Sequence, residues 1–247
     1  MTHTLNIQTA TVNTHSGDWQ IPAYLAQPIS AGPFPVVVVI QEIFGVNAHI
    51  RDVTERIAKE GYIAIAPHIY HRQVPYFEVG YSDADVVLGR QYKNGTQADE
   101  LLSDIQAAID YARTLANAKP TGVGCIGFCF GGHVTYLAAT LKDVIAAADF
   151  YGAGVTTLQP GREQPTVTLT PQITGTLYGF FGSEDPLIPN QQVDEIEAAL
   201  QQHAIPHQIF RYAGATHGFF CDRRASYHPE AAADAWERVK TLFSEKL

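Results

Sequence analysis

The chain has 247 residues, of which 46% are hydrophobic and 17% charged, with a formal net charge of −9. This suits one α/β domain over residues 1–247 with a large core, and the acidic balance argues against a nucleic-acid partner. No apolar run approaches the roughly 20 residues of a membrane span. The opening residues 1–6 lack the cationic-then-apolar pattern of a signal peptide, and three cysteines make no disulfide framework, so free thiols in the reducing cytoplasm are expected.

Residues 5–26 alternate and are rich in Thr and Val, with Ser16-Gly17-Asp18 as their turn, which predicts an antiparallel pair at a sheet edge. Residues 36–40, Val-Val-Val-Val-Ile, form a continuous apolar run, the mark of a strand buried on both faces. A helix is expected over 48–60, with Ile50, Val53 and Ile57 on one face and Gly61 just past its end. Another buried strand follows at 62–66.

Residues 70–96 fit no element and read as a lid or pocket wall. Tyr70, Tyr76, Tyr81 and Tyr92 are concentrated there, either lining a pocket for a planar ring or packing a long loop. Leu101, Leu102, Ile105, Ala108, Ile109 and Ala112 then mark a long amphipathic helix. Strands are expected at 123–128, 146–151, 176–181 and 208–212, and helices at 130–141, 190–202 and 230–245. Strands alternating with helices imply a mainly parallel sheet covered on both faces.

Between the strand at 123–128 and the helix after it lies Gly127-Phe128-Cys129-Phe130-Gly131. This is a nucleophile elbow with cysteine where serine is usual, and its glycines let strand and helix approach without a Cβ clash. A nucleophilic cysteine needs a base, and the base an orienting acid. Both should lie at the carboxyl ends of strands. Asp185 follows the strand at 176–181 and His217 follows the strand at 208–212, with Glu184 a competitor for the acid. The chain order Cys129, Asp185, His217 is that of α/β-hydrolases.

The oxyanion hole should take its N–H groups from Phe130 and from Ile43, in the loop after the strand at 36–40. Glu42 then stands at the mouth of the site, unless it is only a solvated loop carboxylate. His68 and His71 are three apart, and His3 and His15 lie near the N-terminus, but no third and fourth ligand accompanies them, so no metal is expected. No cofactor is implied.

Four segments carry a resemblance to the dienelactone hydrolase family: Gln41-Glu42-Ile43-Phe44-Gly45-Val46-Asn47, the cysteine elbow, Gly182-Ser183-Glu184-Asp185-Pro186 and His217-Gly218-Phe219. The resemblance implies an α/β-hydrolase fold with an antiparallel N-terminal edge and a carboxymethylenebutenolidase-like opening of a lactone. It also implies a cysteine that rests as a thiol against Glu42 and is deprotonated when substrate moves that glutamate.

Arginines hold the substrate carboxylate in family enzymes acting on dienelactone. Here Cys221 stands near one of those positions, with Arg223 and Arg224 just beyond, while Arg72 and Arg90 lie near the other. Arg90, Arg223 and Tyr92 are the candidate substrate contacts. The expected protein is a monomer or small homo-oligomer acting on a small lactone or ester, through a thioester acyl-enzyme. The alternatives are an amidotransferase-type cysteine hydrolase and a non-catalytic ligand-binding module on the same scaffold.

Overall fold

A computed structural model describes residues 5–247. The signal-peptide reading of the first residues and the His3 reading therefore fall wholly or partly outside the described residues. The predicted edge pair forms as β1 (Ile7–Ser16) and β2 (Trp19–Pro28), paired antiparallel around a turn whose Gly17 has φ +57°. Next come β3 (Val36–Ile40), α1 (Ala48–Lys59) and β4 (Ile63–Pro67). After the long connection, α3 (Ala98–Arg113) leads to β5 (Val123–Phe128), α4 (Phe130–Ala138) and β6 (Val144–Phe150), with α2 (Asp83–Asn94) preceding it inside that connection. A 3-10 helix (Thr166–Gln172), β7 (Thr176–Gly182), α5 (Asn190–Gln202), β8 (His207–Tyr212) and α6 (Pro229–Lys246) complete the chain.

The eight strands among the described residues join one sheet in the order β1-β2-β4-β3-β5-β6-β7-β8, and from β3 onward every pairing is parallel. This is the α/β-hydrolase arrangement. All five residues of β3 are buried, as are all five of β4. Each Val or Ile removed from water there contributes roughly 1.5–3 kcal/mol before chain entropy is set against it. That is why these strands read as unbroken apolar runs. No helix among the described residues is long and apolar enough to cross a membrane.

One segment departs from expectation. Residues 83–94, within the stretch read as irregular, form α2. Its start is fixed by a capping box, with the Ser82 and Asp85 side chains each satisfying the other's backbone N–H. Only Gly89 of this helix is fully buried, so α2 has almost no apolar stripe to read. A Cβ at Gly89 would sit 2.4 Å from the Ile43 carbonyl oxygen, so the glycine lets α2 lie directly on the loop after β3.

Candidate active site

The carboxyl ends of β3, β5, β7 and β8 open on one edge of the sheet. At β5 the chain turns sharply into α4, and Cys129 occupies the corner with φ +57° and ψ −119°. A non-glycine residue held there stores about 1–3 kcal/mol of backbone strain. The surrounding structure imposes it: the Cys129 N–H donates to the Phe150 carbonyl at 3.0 Å. Cβ atoms at the elbow glycines would meet backbone, at 2.0 Å for Gly127 and 2.4 Å for Gly131. Phe130 opens α4, whose first N–H groups have no partner inside the helix.

Beyond β7, the turn presents Asp185 inward while Glu184 stays exposed. One Asp185 oxygen accepts the Leu187 N–H at 2.8 Å and the other accepts from His217 Nδ1 at 2.8 Å. With Nδ1–H committed, Nε2 is the nitrogen left to accept a proton. It is buried and makes no hydrogen bond. Burial alone would pull the imidazole down, but the nearby Cys129 sulfur and Asp185 outweigh it and lift His217 to about 10.

In the loop after β3, Glu42 is fully buried and not a solvated loop carboxylate. Its Oε1 accepts from Arg224 Nη1 at 3.2 Å, and its Oε2 has no hydrogen-bond partner. The Arg224 guanidinium lies over the rings of Phe44 and Tyr81, 5.5 and 5.6 Å from their centres. Tyr151, also at positive φ, packs edge-on to His217 at 5.2 Å, and its buried hydroxyl is unpartnered.

A cavity of ≈ 350 Å³, the size of a small-ligand site, is lined by Cys129, His217, Ile43, Phe130, Arg90, Lys93 and Arg224, among others. Two candidate contacts are corrected by one position each. Arg223 is exposed and borders a separate groove beside Glu78 and Tyr81, while Arg224 enters the cavity. The turn at Cys221, where the Arg224 N–H donates to the Cys221 carbonyl, sends the two neighbouring side chains different ways. Tyr92 packs on Phe77, 4.7 Å between ring centres, while Lys93 of the same helix lines the cavity.

None of the four tyrosines at 70, 76, 81 and 92 lines the cavity; Tyr70, for instance, is buried in a stack on Phe130. Arg72 is committed to the buried Asp104 through 2.7–3.2 Å bonds. His68 and His71 both pack on the Tyr76 ring, and His15 is exposed on β1. Sequence reasoning missed Lys93 and Tyr151; the position of Tyr151 just past β6 was the available signal for the latter.

The sequence model of the dienelactone hydrolase family matches residues 21–247. A Synechocystis protein named "Putative carboxymethylenebutenolidase" is 56% identical over 244 residues, covering 99% of each chain. A Bradyrhizobium protein named "Probable 2-oxo-3-(5-oxofuran-2-ylidene)propanoate lactonase" is 32% identical, covering 88% of this chain and 86% of its own. Among solved structures, one titled as a putative dienelactone hydrolase from Klebsiella pneumoniae superposes with a TM-score of 0.87 at 32% identity, covering 97% of this chain and 99% of its own.

Proposed function

The chain belongs to the dienelactone hydrolase family, and from that premise we propose that it opens a lactone, or cleaves a small carboxylic ester, with Cys129 as nucleophile. Glu42 takes the thiol proton through its unpartnered oxygen, and the sulfur bonds to the substrate carbonyl carbon. The oxyanion is received by the N–H groups of Ile43 and Phe130. The carbon–oxygen bond breaks, Glu42 returns its proton to the leaving oxygen, and the acyl group remains on Cys129 as a thioester. Once acylated, Cys129 no longer lifts His217, and the imidazole loses its proton to solvent; water then attacks the thioester and gives a proton to Nε2, while Asp185 orients the ring through Nδ1. Departing sulfur recovers that proton as the acid is released.

The observation that carries this reading is the Asp185–His217 pair, with Nε2 unbonded, on the same cavity as the elbow cysteine. Arg90, Lys93 and Arg224 around the same cavity favour a substrate bearing a carboxylate. The relatives' names, carboxymethylenebutenolidase and a propanoate lactonase, fit that class. We take residues 1–247 to act as one domain in a reducing cytoplasm, supported by the single sheet and three free thiols.

The test is a lactone and ester panel, with and without a substrate carboxylate, combined with mass spectrometry of acid-quenched enzyme. Expected are turnover that favours the carboxylated lactones and an acyl adduct on Cys129. Turnover retained by Cys129→Ala would overturn the assignment.

A further inference from the structure

Beside the cavity lies a second cluster that the proposed reaction uses only in part. Glu42 in the loop after β3, His49 in the first turn of α1 and Cys221 in the turn after β8 are all buried. Each offers a potential metal-ligand atom, and those atoms lie within 4.8 Å of one another. The polar groups are poorly satisfied. Neither ring nitrogen of the fully buried His49 has a hydrogen-bond partner, nor does Glu42 Oε2. A buried polar group left this way costs about 1–3 kcal/mol. One unpaired His49 nitrogen, an unpaired Glu42 oxygen and the Cys221 sulfur gathered within 4.8 Å therefore point to a ligand that accepts a lone pair from each.

From this geometry we propose that Glu42, His49 and Cys221 bind a soft divalent cation of the zinc and cadmium class, and that the bound cation withholds Glu42 from Cys129. Sulfur, imidazole nitrogen and a single carboxylate are the donors that select such ions over magnesium or calcium. Tetrahedral zinc, with bonds of about 2.0–2.3 Å, holds its ligand atoms roughly 3.2–3.8 Å apart, so the three side chains need close by only about 1 Å. Three protein ligands leave a fourth position for water.

The surroundings suit the ion. Glu42 divides its oxygens, with Oε1 on Arg224 and Oε2 free for the metal. Asp222 Oδ1 stands 4.0 Å from His49 Nδ1, where it can orient the ring. Cys221 donates its S–H to the Tyr81 hydroxyl at 3.4 Å. On binding, the metal–sulfur bond replaces the S–H bond and the proton passes to solvent, after which Tyr81 can turn its own O–H toward the sulfur. Glutamate and thiolate together neutralise the dication, and the nearby Arg224 and Asp222 carry opposite charges, Asp222 being paired with Arg56.

Metal binding itself is independent of the catalytic reading, whereas its effect on turnover rests on the role given to Glu42. Cadmium is titrated into full-length Cys129→Ala, which removes the catalytic thiol as a competing ligand, and the ultraviolet cadmium–thiolate absorption is followed. One Cd²⁺ per chain is expected. The absorption should vanish when Cys221→Ala is added, and binding should weaken roughly tenfold or more in His49→Gln. No absorption in Cys129→Ala, or absorption that survives Cys221→Ala, would overturn the site.

In the protein with Cys129 intact, Zn²⁺ should inhibit hydrolysis, chelator should restore it, and Cys221→Ala should resist it. If Cd²⁺ saturates the site while hydrolysis continues unchanged, the withholding of Glu42 is overturned although the site stands. Glu42→Gln assayed without metal tests the role of Glu42 separately.

Discussion

On one flank of Cys129, both oxygens of Asp185 have short partners, the Leu187 N–H and His217 Nδ1, each at 2.8 Å. In the loop after β3, Glu42 has one partner at 3.2 Å and an unpaired oxygen, and the neighbouring His49 has none. Both carboxylates are buried. A fully satisfied buried group is held in one orientation, whereas a half-satisfied one gives up little by moving. In the proposed reaction, the Asp185 flank is the fixed orienting device and the Glu42 flank the side able to rearrange when a ligand arrives.

The most severe way to break this comparison is on the fixed flank. His217→Ala should lower kcat/KM for the preferred lactone by about 10⁴-fold or more, since removing the base of a nucleophile–base pair is nearly as costly as removing the nucleophile. Steady-state kinetics on folded protein checks it. On the movable flank, Glu42→Gln should lower kcat by about 10²–10³-fold, because the amide cannot take the thiol proton. Alkylation of Cys129 in the presence of a substrate analogue should slow in parallel.

Arg224→Met separates binding from chemistry. It should raise KM for a carboxylated substrate by roughly tenfold while changing KM for an uncharged ester less, the loss expected for one charged hydrogen bond. Gly89→Ala probes the same flank through α2. Its Cβ would meet the Ile43 carbonyl oxygen at 2.4 Å, so α2 and the loop after β3 must part. A fall of kcat/KM by about tenfold, with thermal stability little changed, is expected.

The smallest effect is a titration. His217 is lifted to about 10 against the pull of burial, with Cys129 the largest raising influence. Its stabilising contribution is therefore complete below the ordinary histidine value near 6.5 and is lost as pH rises through about 10. In Cys129→Ala the lifting influence of the sulfur is gone and burial remains, so the His217 midpoint should drop. Imidazole nuclear magnetic resonance across that range reads it, and an unchanged midpoint would show that Asp185 alone sets the charge.

How much was legible in the sequence varies with the kind of force involved. The parallel strands stood out because burial on both faces demands unbroken apolar runs, as in residues 36–40. Helix α2 was hidden because its close contact with the loop after β3 is made by Gly89, which has no side chain to mark a buried face. Its capping box at Ser82 and Asp85 was the remaining sign. Cys129, Asp185 and His217 could be placed from order and strand ends, since a triad needs a fixed topology more than a fixed neighbourhood.

By itself, then, the sequence determined the alternation of strands and helices, the elbow at Cys129, the order of its partners and the presence of arginines near the site. It could not choose between adjacent residues. Arg224 enters the cavity where Arg223 faces solvent, and Lys93 lines it where Tyr92 packs inward. Nor could it bring Glu42, His49 and Cys221 together from three separate segments. The physical reason is the same in each case. Composition and periodicity record which residues leave water, but the direction of a side chain is set by the turn of backbone that carries it and by the elements packed around it.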